Sequence, residues 1–288
     1  MRQDLLTIAL REKLTRSQIE RAVRPIMRDT QLWDDLASGT PAVTRLFYPA
    51  FHFNALAMSQ VAPPGALVLH LGSESSHFLG YLALRRPDIR IIALEQNADS
   101  AKRSEAVVSA LGLSDRITTY QCGFANFSQQ TPDAVNVIAS VDSLHTIASD
   151  VELNGCLHEV ALCRIRSGAS VWISDFARPR LSKTIEDFSG TASNGLPGGF
   201  LRLQRNSALS SFTFRELTEA IDRQSFGQVE HYVSKPLGIL QAHLLKSDLA
   251  LQAGHAAWSE PTLPGPVIRD FKEYCDLLST VPLPPHLK

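Results

Sequence analysis

Residues 67 to 97, LVLHLGSESSHFLGYLALRRPDIRIIALEQN, constrain the fold more than any other stretch. An apolar run, Leu67 to Leu71, meets Gly72 and a short polar turn. A helical stretch continues to about Arg86, where Pro87 and Asp88 break it. A second apolar run, Ile89 to Leu94, ends on Glu95. This order is that of a strand, tight turn, helix and strand, with a carboxylate at the tip of the second strand. In a doubly wound sheet such a unit receives a nucleoside-containing ligand across the carboxyl edge. Helix-terminal N–H groups lie near Gly72, and Glu95 is suited to two ribose hydroxyls. Only one glycine stands where such turns commonly hold two or three.

The 288 residues allow a large core. A formal net charge of -1, with no basic tract, gives no electrostatic case for nucleic acid or an anionic membrane as partner. Charges run through the apolar patch of MRQDLLTIALREKL, so the segment reads as neither a signal peptide nor a span. Cys122, Cys156, Cys163 and Cys275 have no C-x-x-C spacing and read as free thiols, which points to the cytoplasm.

Residues 1–62 read as a helical N-terminal extension or lid. Thr15 and Gln18 have the spacing of a capping box before a helix carrying Ile19, Ala22, Val23 and Ile26, and a second helical segment covers Thr30 to Ala37. An aromatic stretch, Phe47 to Phe53, precedes the boundary at Pro63-Pro64-Gly65. After the opening unit come a helix over Asn97 to Ala110 and strands over Ile117 to Gln121, Ala134 to Ser140 and Ser170 to Ser174. A helix opens at Ser149 with Glu152, another at Thr213 with Glu216, and two further strands lie over Gln228 to Val233 and Ile239 to Leu245. The fold class is α/β, with a doubly wound, mostly parallel seven-stranded sheet over residues 63–246. A partly helical insertion near residues 180–210 lies over the cleft, and residues 247–288 form a C-terminal extension.

This order, with Asp175-Phe176-Ala177-Arg178-Pro179 closing the fifth strand, resembles the class I S-adenosylmethionine-dependent methyltransferases of small-molecule type. The resemblance spans roughly residues 45 to 246. It implies S-adenosylmethionine as cofactor, S-adenosylhomocysteine as product, and methyl transfer to an O or N atom of a small metabolite. It also allows a homodimer. Gly72, Ser73, Glu95, Gln96, Gly123, Phe124 and Ser140 fall at its cofactor positions. The usual first-loop pattern, an acidic residue followed by G-x-G-x-G, appears here as His70-Leu71-Gly72-Ser73-Glu74-Ser75-Ser76. Glu74 puts a negative charge beside the expected cofactor carboxylate. Phe124 stands where an acidic residue often contacts adenine and offers a stacking face instead, and Asn136 replaces a frequent aspartate.

His145 is the candidate general base, with Asp142 or Asp175 to orient it; a hydrogen-bonded structural histidine fits the same position. His70, alternating with apolar neighbours, reads as buried and hydrogen-bonded. Arg178 either anchors a carboxylate or pairs with Asp175. No metal-ligand spacing occurs. Two other functions remain open: a degenerate methyltransferase-like protein that binds another ligand or supports a biosynthetic complex, and a nicotinamide-dependent oxidoreductase.

Overall fold

In the computed structural model, which describes residues 2–22, 41–72, 76–192, 198–224, 226–234 and 237–247, the apolar runs become one sheet. Its strands are β1 (Leu67–Leu71), β2 (Arg90–Glu95), β3 (Ile117–Gln121), β4 (Val137–Val141), β5 (Ser170–Phe176), β6 (Glu230–Val233) and β7 (Leu240–Leu245). They lie in the order β3-β2-β1-β4-β5-β7-β6. The first five are mutually parallel, and β7 enters antiparallel between β5 and β6.

The helices are α1 (Arg2–Leu14), α2 (Pro41–Ser59), α3 (Ser76–Arg85), α4 (Ala98–Ala110), α5 (Asp150–Ser167), α6 (Ser182–Ala192), α7 (Gly198–Ser210) and α8 (Phe214–Asp222). Even the buried strands alternate between faces. Val68, Ala93, Ala139 and Trp172 join one cluster with Phe53 of α2 and Phe78 of α3; Leu69, Leu94, Ile138 and Val171 join another with Leu157 of α5 and Leu217 of α8. Trp172 also donates its Nε1–H to Asn54 Oδ1 at 2.9 Å, which pins α2 to the centre of the sheet.

Local signals place several boundaries. Ser149 caps α5 by accepting from Glu152 N, and Gly168 ends that helix at φ 68°. Thr213 and Glu216 form a complete capping box at α8. The expected boundary at Pro63-Pro64-Gly65 is braced by Arg86, whose buried guanidinium reaches the Ala62 and Pro63 carbonyls and the Asp88 carboxylate. Asp88 in turn accepts from Gly65 N at 2.9 Å.

The N-terminal expectation needs correction. The helix runs over residues 2–14, and residues 15–22 are not helical. Thr15 Oγ1 bonds back to the Arg11 carbonyl at 2.9 Å, so it serves the end of a helix rather than the start of one. Residues 12–22 then lie along the segment after β5. Glu12 accepts from Thr184 Oγ1, Gln18 donates to the Pro179 carbonyl, and Arg21 donates to the Ser210 carbonyl while lying 3.7 Å over the Phe212 ring. The expected helix over Thr30 to Ala37 and the extension beyond residue 247 lie outside the described residues. No described helix is long and apolar enough to cross a membrane.

Candidate active site

The chain leaves β1 toward β2 and β3, then returns to β4 on the other side of β1. In an open parallel sheet, that reversal creates a crevice beyond the carboxyl ends of the two central strands. Gly72, Glu95, Gly123, Asp142, His145 and Asp175 lie at or just beyond the carboxyl ends of the parallel strands.

Gly72 follows β1 with φ 86° and donates its N–H to the Leu94 carbonyl at 2.7 Å. A Cβ added to it would fall 2.3 Å from Ser143 Oγ and 2.5 Å from Ser143 Cβ. Glycine is therefore required twice, by its left-handed backbone and by the side chain from the loop after β4. Sequence reasoning did not single out Ser143. Nothing local reveals the contact, since it depends on β1 and β4 being neighbours.

Glu95 closes β2 with only 4% of its surface exposed, and its Oε1 accepts from Asn97 N at 3.0 Å. Asn97 caps α4 through Asp99 N and Ser100 N, so the carboxylate sits against the start of a helix. Gln96 is exposed beside it, and Gly123 is exposed at the tip of β3. Cys122 N, in the same tip, donates to the Glu95 carbonyl at 2.9 Å.

The Phe124 ring is buried within the cluster containing Leu71, Leu94 and Leu144. Ser140 is likewise buried, its hydroxyl 3.5 Å from the Leu71 carbonyl. Asn136 sits at the opposite edge. It accepts from Leu67 N at 2.8 Å through its side chain and joins the amino ends of β1 and β4. Ser73 and Glu74 lie outside the described residues.

Between β4 and α5, Asp142 adopts φ 50°, a left-handed conformation that is uncommon for any residue but glycine and costs backbone energy. Its N–H donates to the Ser174 carbonyl at 2.8 Å, which brings it level with the end of β5. Burial, then the neighbouring Asp175 carboxylate, push the Asp142 carboxyl up to about 7; His145 pulls the other way. Among the described residues this carboxyl has no hydrogen-bond partner.

His145 follows in the turn Leu144–Thr146. Its backbone N–H donates to Asp175 Oδ2 at 2.9 Å, and its Nδ1 lies 2.8 Å from Asp175 Oδ1. Asp175 is 2% exposed, and its Oδ1 also accepts from Phe176 N at 2.7 Å. A carboxylate so placed orients the imidazole at both its backbone and its ring. The orienting partner is Asp175; Asp142 stands beside the dyad.

Arg178 does not pair with Asp175. It bonds Glu216 at 2.7 and 3.0 Å and the Ser211 carbonyl at 3.0 Å, tying the end of β5 to the start of α8. Sequence reasoning also missed Arg21, whose NH2 group reaches the Ile147 carbonyl from the N-terminal segment. Among the described residues, no group of three or more His, Cys, Asp or Glu is arranged to hold a metal.

No protein-family model matches the chain, and no curated protein does. Solved structures do match. An S-adenosylmethionine-dependent methyltransferase from Aquifex aeolicus aligns with 76% of this chain and 98% of its own, at a TM-score of 0.51 and 16% identity. The fold is that of the class I S-adenosylmethionine-dependent methyltransferases. A putative O-methyltransferase from Nostoc punctiforme aligns with 84% of this chain and 68% of its own, at a TM-score of 0.52 and 13% identity. The plantazolicin methyltransferase solved with S-adenosylhomocysteine aligns with 83% and 94%, at 0.51 and 12%. At these identities the likeness is one of methyltransferase fold.

Proposed function

We propose that the chain is an S-adenosylmethionine-dependent methyltransferase acting on a small metabolite, with an acceptor hydroxyl as the best-supported nucleophile and an amine as the other acceptor of this chemistry. The observation that carries the reading is the His145–Asp175 dyad, set across the β1–β4 crevice from Gly72 and Glu95 in a methyltransferase fold.

The residues present fit such a cofactor. A buried carboxylate at the tip of β2 matches a pair of ribose hydroxyls, and the Gly72 turn brings backbone to the same edge. When bound, the cofactor supplies an electrophilic methyl group on a sulfonium. The chain's own task is to align an acceptor, exclude water and remove a proton.

Asp175 accepts from His145, so Nδ1 carries hydrogen and Nε2 is the nitrogen able to take the acceptor's proton. Asp175 then sits beside the imidazolium and stabilises it. The Asp142 carboxyl, held largely protonated below about 7, adds little competing negative charge there. Arg21 and Arg178 are engaged by carbonyls and by Glu216.

Calorimetric titration with S-adenosylmethionine, S-adenosylhomocysteine and NAD in parallel tests the reading. Binding of the first two, lost in Glu95→Ala, supports it. Failure of both at millimolar concentration removes it, and binding of NAD alone replaces it with the oxidoreductase. S-adenosylhomocysteine binding without turnover in any acceptor screen identifies the degenerate alternative.

A further inference from the structure

His70 occupies the strand position where the first-loop pattern has an acidic residue. Its ring lies on the face of β1 covered by α3, with Ala93 and Ala139 in register on the two neighbouring strands and the Phe78 ring centroid 5.8 Å away. The two alanines leave room for an imidazole in the middle of a sheet.

The ring is fully buried, and its Nδ1 lies 2.7 Å from the Gly72 carbonyl oxygen. A carbonyl only accepts, so Nδ1 carries the hydrogen. Nε2 is then an acceptor, and among the described residues it has no partner. Protonating it would set a second N–H against apolar side chains, and burial accordingly pulls this histidine down to about 4. The ring is neutral across the ordinary pH range, with a fixed tautomer.

We propose that His70 is a positioning residue for the cofactor edge: its Nδ1–H holds the Gly72 carbonyl and fixes the left-handed turn beyond β1. The proposal rests on the reading of that edge as a cofactor site. Three restraints act on the one glycine. Its N–H is held by Leu94, its Cα is packed on Ser143, and its carbonyl is held by His70. A turn with glycine at 72 but Glu74 and Ser76 further along has less help from backbone freedom, and the imidazole supplies a rigid clamp. A leucine would pack against Phe78 and the alanines without leaving a buried nitrogen unpaired, but it would strand the buried Gly72 carbonyl, so the imidazole is needed for its donor and not for its bulk.

That contrast gives a test in which affinity and stability are read separately. His70→Leu removes the clamp and the unpaired nitrogen together, whereas His70→Asn keeps a donor near the Nδ1 position. Thermal unfolding and calorimetric titration with S-adenosylhomocysteine are measured on both variants and on the parent. The expectation is a His70→Leu protein melting near the parent temperature, because the removed nitrogen offsets the stranded carbonyl, but binding about tenfold more weakly or worse, with His70→Asn within about threefold of the parent. If His70→Leu fails to fold, His70→Asn is compared with His70→Gln, whose amide reaches the Nε2 side; Asn should bind and Gln should not. Parent-like affinity in His70→Leu, or in Gln alongside Asn, overturns this proposal alone. Loss of stability and affinity together in both Leu and Asn also overturns it, because the residue would then serve packing. Absence of binding by the parent protein removes the cofactor reading, and this proposal with it.

Discussion

Replacing Asp142 by asparagine separates the charge of this residue from its backbone. Asparagine tolerates φ near 50° at least as well as aspartate, so the turn keeps its shape. The variant loses a carboxyl that the fold holds protonated up to about 7 against an ordinary value of 3.8. Because the folded state keeps the proton more tightly, stability falls as pH rises from about 4 to about 7 and then levels off. At about 1.4 kcal/mol for each tenfold in proton affinity, the full gap sets a ceiling of about 4 kcal/mol. Asp142 keeps part of its surface in solvent, which reduces the effect to roughly 1–2 kcal/mol. Urea unfolding of both proteins at intervals from pH 4.5 to 8 reads the difference directly. His70 and His243, which burial holds neutral, titrate alike in both proteins and cancel. The expected result is an Asp142→Asn advantage that grows with pH and saturates above 7. Parallel stability curves across the range would refute the argument that Asp175 and burial hold this proton.

His145→Gln should lower the turnover of a hydroxyl acceptor by about 10²–10⁴-fold while leaving S-adenosylhomocysteine affinity within about threefold. An unchanged rate in a screen of phenols and alcohols would mark the histidine as structural. Gly72→Ala combines a left-handed alanine with a clash on Ser143, so urea unfolding should show a loss of about 2–4 kcal/mol. Adding Ser143→Gly should recover the clash and not the backbone share. Glu216→Gln preserves an acceptor for Thr213 N but leaves the buried Arg178 without its counter-charge; an unfolding cost of about 1–2 kcal/mol is expected, and more for Glu216→Ala, which also loses the cap.

What could be read in advance follows the distance over which each interaction acts. The helix starts at Ser149 and Thr213 were legible because both partners lie within one turn. The strand over 67–71 was legible because an apolar run fits a sheet buried on both faces. The same local pattern misled at Thr15, since a hydroxyl near a helix end can serve either the turn ahead or the turn behind; here it serves Arg11. The edge residues Glu95, His145 and Asp175 could be nominated from their places at strand ends. Choosing Asp175 over Asp142 as the imidazole's partner required the pairing of β4 with β5, which sequence spacing does not encode. Arg178 and Glu216 stand 38 positions apart, and Gly72 and Ser143 meet only through the strand order. The burial of Phe124 depended likewise on what the neighbouring strand tips place around it.

The contact of Gly72 with Ser143 also makes the crevice a linked machine rather than two adjoining half-sites. One rim ends on the glycine and the other on the serine, two residues before His145, with less than a methyl group's clearance between them. Neither loop can move toward the other without the other yielding. On the proposed reading, a ligand that steadies the β1 turn thereby steadies the segment carrying the dyad, and an acceptor seated at the dyad returns the effect. By thermodynamic reciprocity the two occupants tighten each other's hold by the same factor.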